Sequence, residues 1–496
     1  MHPLVDLLRR EARWFGQALA KDAHARGLAV TQADGTTRAI PVTATPVILP
    51  AEEIRRRVAA SAVLSRATFK VAQAALAGPE RELLLSSLSP LERRMAEATH
   101  AQLTGLATAR VDYFVSGDRP LALEVNATIP AMQGYSDIAA NTFIEHVGRH
   151  AGLEDRAIAR IQAQNGSNAL ALYRALLEGY AAQRGGGAMP ERILLLCRRN
   201  DAQLSEQRYL AARFTEMGTE AEVIHPDELS GDEWVEARGR RWDLVYRHLF
   251  VRRLEQTPAP WVERFFSTFW RWKTVLLNPP SAQVEVKASF ALLSRALAST
   301  PLAAEAGLTE DEVEAAREFV PWTRLLAKGP SETPDGTRVG DLVAFVAAHP
   351  DRFVLKRSWD YGGRAVFVGA AAGTASFDER VRTAYGEPME WPALVARAAA
   401  DPSGGGFVVQ EYVSSKVEPH LLCTEDGLSA VDLYVDFSAY ASVQAGRAPQ
   451  WGGVCRGSAS QIVNIVGGGG VLPLLTSEVA DKLHTAFRAQ LPFRRW

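Results

Sequence analysis

The chain has 496 residues, more than a single hydrophobic core of roughly 250–300 residues accommodates, so two or three packed domains are expected. With 55 Lys and Arg against 57 Asp and Glu, and a formal charge of −2, there is no electrostatic case for a polyanionic partner such as nucleic acid. The short basic clusters at 55–57 and 238–241 read as solvated faces. Cys197, Cys423 and Cys455 are widely spaced with no CxxC pair, which argues against a disulfide framework or a zinc site; Cys197 and Cys455, in apolar or glycine-flanked runs, read as small buried residues rather than nucleophiles. The opening MHPLVDLLRREARWF lacks the apolar centre of a secretion signal, and no run reaches the ~20 apolar residues of a membrane span, so a reducing cytoplasm and no membrane are expected.

In chain order, 1–25 and 51–108 carry helical spacing with an alanine-rich apolar face. A strand pair is predicted at 111–115 and 121–125, joined by the turn Ser116-Gly117-Asp118. Helices follow at 137–163 and 168–184, the latter stopped by Gly185-Gly186-Gly187. A new unit then alternates strands at 193–197, 221–225 and 243–246 with a helix at 204–217, the pattern of a small parallel α/β layer. A helix over 259–274 leads to the Asn278-Pro279-Pro280 break. The remainder is strand-rich, at 353–356, 365–368, 407–410, 432–437 and 453–459, with glycine clusters at 362–363, 404–406, 452–453 and 467–470. No fixed-period repeat is present. Three parts are expected: 1–184, 188–277 and 278–496.

Four short segments carry chemistry in combination. Glu124-Val125-Asn126 ends a strand, so both polar side chains project to one face about 7 Å apart at the backbone; two hard oxygen donors so placed suit Mg²⁺. Between 354 and 364 an apolar strand delivers Lys356 into a loop holding Asp360, Gly362 and Gly363, then continues as a second strand. The lysine offers a point charge to phosphate, the acid a metal ligand, and the glycines an approach to backbone amides. A third apolar strand exits through Gln410, Glu411 and Val413, where backbone groups can meet a base edge. Finally Arg456 presents a fork suited to carboxylate or phosphate, ahead of the glycine run 467–470. Taken singly, each also has an ordinary reading: a surface turn, a hairpin, a buried strand with a polar exit, a linker. His225, His248 and His420 stand alone and read as packing or surface residues.

The order of these segments, over about 40–475, resembles the circularly permuted ATP-grasp enzymes, nearest the eukaryotic-type glutathione synthetases, with glutathionylspermidine synthetase-like domains as cousins. The resemblance implies a mixed α/β (α+β) ATP-grasp fold, circularly permuted, with an N-terminal helical and strand region and a small parallel α/β substrate domain. It implies Mg²⁺ on Glu124, Asn126 and Asp360, the last standing where glutathione synthetases carry glutamate. It implies ATP contacts from Lys287 (in NPPSAQVEVKASFALL), Lys356, Gly362, Gly363, Gln410, Glu411, Val413, Gly468 and Gly469. Substrate contacts fall to Arg110, Gln207, Arg247 and Arg456, with Arg110, Lys356 and Arg456 aiding catalysis. Several family positions differ here: Ala131 replaces a strand-exit serine, Asp201-Ala202-Gln203 an acid-Arg-Asn motif, Phe250 a tyrosine, and Ser458 a lysine.

The resemblance implies an ATP- and Mg²⁺-dependent ligase that joins a small-molecule carboxylate to an amine or peptide through an acyl phosphate, as a homodimer. Alternatives are a peptide- or amino-acid-modifying ligase of a natural-product pathway and a catalytically inactive ATP-binding regulator.

Overall fold

A computed structural model describes residues 2–116, 119–360, 362–442, 452–465 and 469–490. Gly117, Asp118, Gly467 and Gly468, within segments named above, lie outside the described residues.

The central element is a seven-stranded sheet ordered 417–424, 42–43, 470–472, 453–458, 427–441, 109–116, 119–126, so strands from both ends of the sequence share one surface. All neighbours are antiparallel except 42–43 with 470–472. The period-2 alternation divides its faces. Val111, Tyr113, Ala122, Val125, Phe437, Ala439 and Cys455 form one core with Ile54, Val58 and Leu64 of helix Ala51–Ala77, and Tyr113 Oη meets Ser61 Oγ at 2.7 Å. On the opposite face, helix Gln133–His150 covers Val454 and Val471. The strands beyond it, toward 119–126, carry polar residues on that face.

The parallel sheet expected from the middle of the chain has four strands, ordered 275–277, 244–248, 192–197, 220–224, backed by helices Asn168–Arg184 and Leu204–Glu216. A third sheet, antiparallel, is ordered 323–325, 407–411, 353–357, 366–368. Its residues Phe353, Leu355, Phe367, Phe407 and Val409 pack on helices Leu342–Ala348, Ala375–Tyr385 and Trp391–Ala400. Alternation then turns Val354, Lys356 and Gln410 the other way.

Two expected helices are shorter than their periodicity suggests. The 137–163 segment is two helices, Gln133–His150 and Asp155–Asn165, because Gly152 takes φ +73°, a conformation that ends an α-helix. The 259–274 segment is helix Pro260–Thr268 and a 3₁₀ turn, after which Val275–Leu277 joins the parallel sheet as its edge strand. The 432–437 strand is part of a longer one, Gly427–Ala441. The three cysteines are buried and free. Among the described residues no helix is long and apolar enough to cross a membrane.

Candidate functional site

The polar face of the large sheet is built by register. Glu124 pairs with Asp112 and Asn126 with Arg110. Ser438 lies opposite Asp112, Tyr440 opposite Arg110, and Asp436 opposite Arg456. Directly paired residues and their i+2 neighbours share a face, so four adjacent strands contribute to one polar stripe.

Within it, charges alternate. Arg110 grips Asp112 with both prongs, Nε–Oδ1 2.7 Å and Nη2–Oδ2 3.1 Å. Arg456 Nη2 reaches the same Asp112 at 2.9 Å, while its Nε contacts Asp436 at 2.9 Å and its Nη2 also donates to Asp436. Burial pushes the Asp112 carboxyl up, but Arg110 and Arg456 outweigh it and hold the group well below the usual carboxylate range. Both arginines expected to steady substrate are thus already committed to acids. Arg110 spends Nη1 on the Ala131 carbonyl, at 3.0 Å. Among the described residues Arg456 Nη1 has no such acceptor, so it retains a donor.

A β-bulge sets the next contact. The 109–116/119–126 ladder slips between Asp112 and Tyr113, leaving Leu123 unpaired. Its carbonyl accepts from Lys356 Nζ at 3.1 Å, and Lys356 also donates to Gln410 Oε1 at 2.7 Å. Gln410 therefore spends its side chain holding the lysine, and its Nε2 reaches Thr323 Oγ1 at 3.0 Å. Burial brings the Lys356 ammonium down to about 8, against the pull of Glu124.

Lys287 is placed by a helix start. Its amide donates to Ser358 O at 2.8 Å and the next amide to Ser358 Oγ at 3.2 Å, so the loop after Lys356 caps helix Lys287–Leu297. The Lys287 ammonium then lies 2.9 Å from Asp360 O and 3.3 Å from Glu124 Oε2. Burial raises the Glu124 carboxyl, but Lys287 and Lys356 prevail and hold it below its ordinary value. The Asp360 carboxylate stands 3.8 Å from Arg357.

These groups converge on two adjoining cavities. One, about 970 Å³ including space open to solvent, lies between the third sheet and the large sheet. It is lined by Val354, Val366, Val368 and Val413 together with Glu124, Lys287, Lys356, Asp360, Gln410 and Glu411. The second adds Arg110, Asn126, Ala131, Met132, Asp201 and His248. Both share Asp112, Glu124, Lys287, Asp360, Gly362, Gly363 and Arg456 as common wall. Gly362 and Gly363 each take φ +70°, and a Cβ on Gly363 would fall 2.5 Å from Ile462. Asn464 donates to Gly362 O at 2.8 Å and accepts from the Gly469 amide at 3.0 Å, so Asn464 links this loop to Gly469.

The chain shares its fold with a glutathione synthetase-like protein. That protein, a glutathione synthetase-like effector from Globodera pallida solved in its apo form, aligns with a TM-score of 0.57 over 94% of this chain and 97% of its own, at 12% identity. A putative gamma-glutamylcysteine synthetase from Methylobacillus flagellatus aligns over 82% of this chain and 87% of its own at 11% identity, with a TM-score of 0.39, too low to carry an argument. No family model matches the sequence, and no curated protein does.

Two expected substrate residues lie outside both cavities. Arg247 is 1% exposed; it donates to the carbonyls of Asn278 (2.8 Å), Leu249 (2.6 Å), Thr128 (3.2 Å) and Pro279 (3.1 Å). Those bonds tie the parallel sheet to the exit of the 119–126 strand. Gln207 is also buried on helix Leu204–Glu216, its Oε1 without a partner among the described residues. Sequence reasoning missed Asp112, Asp436, Glu285 and the His248–Asp201 pair. A signal existed for the first two: each is a polar residue at period 2 with others inside an apolar strand, Arg110/Asp112 and Asp436/Ser438/Tyr440.

Proposed function

We propose that the chain is an ATP- and Mg²⁺-dependent ligase of the ATP-grasp type that activates a carboxylate and joins it to an amine. The observation that carries this reading is the gathering of three segments distant in sequence: Glu124, Lys287 and Asp360 on the wall shared by an apolar slot and a second polar cavity, with Lys356 beside them in the slot. Valines on the slot face suit a flat base, the lysines suit phosphate oxygens, and the second cavity leaves room for substrate beyond.

Glu124, Asn126 and Asp360 all line that second cavity and supply only hard oxygen donors. Among the described residues no group of three His, Cys, Asp or Glu side chains could hold a metal by itself. This donor set suits Mg²⁺, which takes one or two carboxylates and completes its shell with substrate phosphates and water. Bound there, the ion would neutralise phosphate charge.

In this reading Lys287 and Lys356 orient the triphosphate and share its charge. The γ-phosphoryl group passes to a substrate carboxylate, converting a poor leaving group into a good one. Arg456, through its remaining Nη1, would meet the developing oxyanion. Gly362 and Gly363 let the loop backbone approach phosphate. Arg110 contributes by fixing Asp112, and hence the orientation of Arg456.

The test is phosphate release from ATP with and without carboxylate and amine panels. Release that depends on Mg²⁺ and rises when both are supplied supports the reading; ATP binding without release under any combination contradicts it.

The Lys356 environment gives a pH prediction. The ammonium is the form that binds phosphate, and with its pKa near 8 it is mostly charged at pH 7 and mostly neutral at pH 9. Affinity for a non-hydrolysable ATP analogue is expected to fall about tenfold between those values. In Lys356→Arg the guanidinium keeps its charge, and this step should vanish. A flat titration for the parent protein would contradict the assignment.

A further inference from the structure

We propose that His248, oriented by Asp201, is the base that removes a proton from the attacking amine, an inference that rests on the ligase reading above. His248 ends the strand Leu244–His248 and pairs with Cys197, the last residue of the neighbouring parallel strand. Asp201 lies just beyond Cys197. Both residues thus sit outside the carboxyl ends of adjacent parallel strands, where such sheets place ligands. Both line the second cavity.

The other two isolated histidines have ordinary partners: His225 Nδ1 is 2.7 Å from Cys197 O, and His420 Nδ1 is 2.9 Å from Thr45 Oγ1. His248 does not. It is 1% exposed, and among the described residues neither ring nitrogen has a close hydrogen bond. The Asp201 carboxylate lies 3.5 Å from Nε2, beyond good hydrogen-bond geometry. With Nε2 turned to Asp201, Nδ1 is left unspent on a cavity wall, which is costly as packing and useful as a proton acceptor.

Ionisable groups surround the ring. Asp201 is fixed by Arg198, with Nη2–Oδ2 at 2.9 Å, and by the Gln203 amide at 3.1 Å. Glu206 faces His248 from helix Leu204–Glu216, its Oε2 buried and without a hydrogen bond among the described residues. Tyr135, Arg110 and Arg253 complete the ionisable surroundings on that wall.

The step balances. An amine arriving as R–NH₃⁺ gives one proton to His248. Its nitrogen attacks the acyl carbonyl, the C–N bond forms, and the C–O bond to phosphate breaks with its electron pair leaving on phosphate. A second nitrogen proton goes to that phosphate as HPO₄²⁻, leaving the amide and a protonated His248.

The test uses the full chain with saturating ATP and Mg²⁺, and free α-amino acids and γ-glutamyl dipeptides as acyl donors. Hydroxylamine, unprotonated at pH 7, is compared with the alkylamines glycine and spermidine, which are mostly cationic there. In His248→Gln the ratio of amide to hydroxamate formed should fall by ~10²-fold or more and recover as pH approaches the amine's own pKa. Asp201→Asn should lower the ratio in the same direction by ~10-fold. An unchanged ratio, or equal loss of both products at every pH, assigns His248 to packing and overturns the inference. So does a parent protein that forms hydroxamate but accepts neither alkylamine. A parent protein that forms no hydroxamate with any donor refutes the ligase reading itself, a result separable from the others.

Discussion

Glu124→Gln should abolish ATP turnover, by ~10³-fold or more, which corresponds to about 4 kcal/mol of lost transition-state stabilisation. The change keeps side-chain volume and removes only charge, so the protein should fold. Binding should respond in the opposite sense when no metal is present. Glu124 lies 3.3 Å from the Lys287 ammonium, so removing it takes a negative charge from a site meant for phosphate; because Glu124 also favours the charged form of Lys356, the comparison belongs at low pH, where that ammonium persists without it. Free ATP should therefore bind at least as tightly to the variant without Mg²⁺, while the gain in affinity that Mg²⁺ confers should disappear. Asp360→Asn should repeat the loss of turnover. Calorimetric titration with and without Mg²⁺, beside phosphate release, reads both effects; near-normal turnover in the two variants would refute the metal assignment.

Arg456→Ala should be costly twice. Arg456 bridges Asp112 and Asp436, which are 3% and 2% exposed. Its removal strips Asp436 of its arginine and leaves Asp112 with Arg110 alone. Breaking a buried pair from one side typically costs ~3–5 kcal/mol, because the remaining charge stays desolvated. Turnover should fall by ~10²–10³-fold if the remaining Nη1 meets the oxyanion. The effects separate in the double variant Arg456→Met with Asp436→Asn, which removes the stranded charge: denaturant unfolding should recover much of the lost stability while turnover stays low. Recovery of turnover along with stability would make Arg456 a structural residue, and a turnover loss under twofold in Arg456→Ala would place it outside the site.

Much of the local structure was legible because it depends on period and punctuation. The 109–116/119–126 hairpin followed from alternation around a Ser-Gly-Asp turn, helix Asn168–Arg184 from its glycine stop, and the parallel layer from strands alternating with a helix. Lys356 and Gln410 could be placed because each sits at the polar end of an apolar strand. Contacts across the sheet were beyond reach. Arg110 and Asp112 are two residues apart, but that Asp112 also holds Arg456 depends on register between strands more than 300 residues apart, which no local pattern encodes. The same limit applies to Arg247: the sequence shows an arginine at a strand end, while its four carbonyl acceptors come from segments around 128, 249 and 278. His248 looked isolated because its acid lies beyond the end of a neighbouring parallel strand.

The central claim is that one triphosphate is held where Glu124 and Asp360 meet Lys287 and Lys356. A crystal structure with a non-hydrolysable ATP analogue and Mn²⁺, whose anomalous signal locates the ion, tests it most directly. The ion is expected beside Glu124 and Asp360, with the triphosphate on the two lysines and the base against Val354 and Val413. A nucleotide bound elsewhere, or an ion away from both carboxylates, would contradict it.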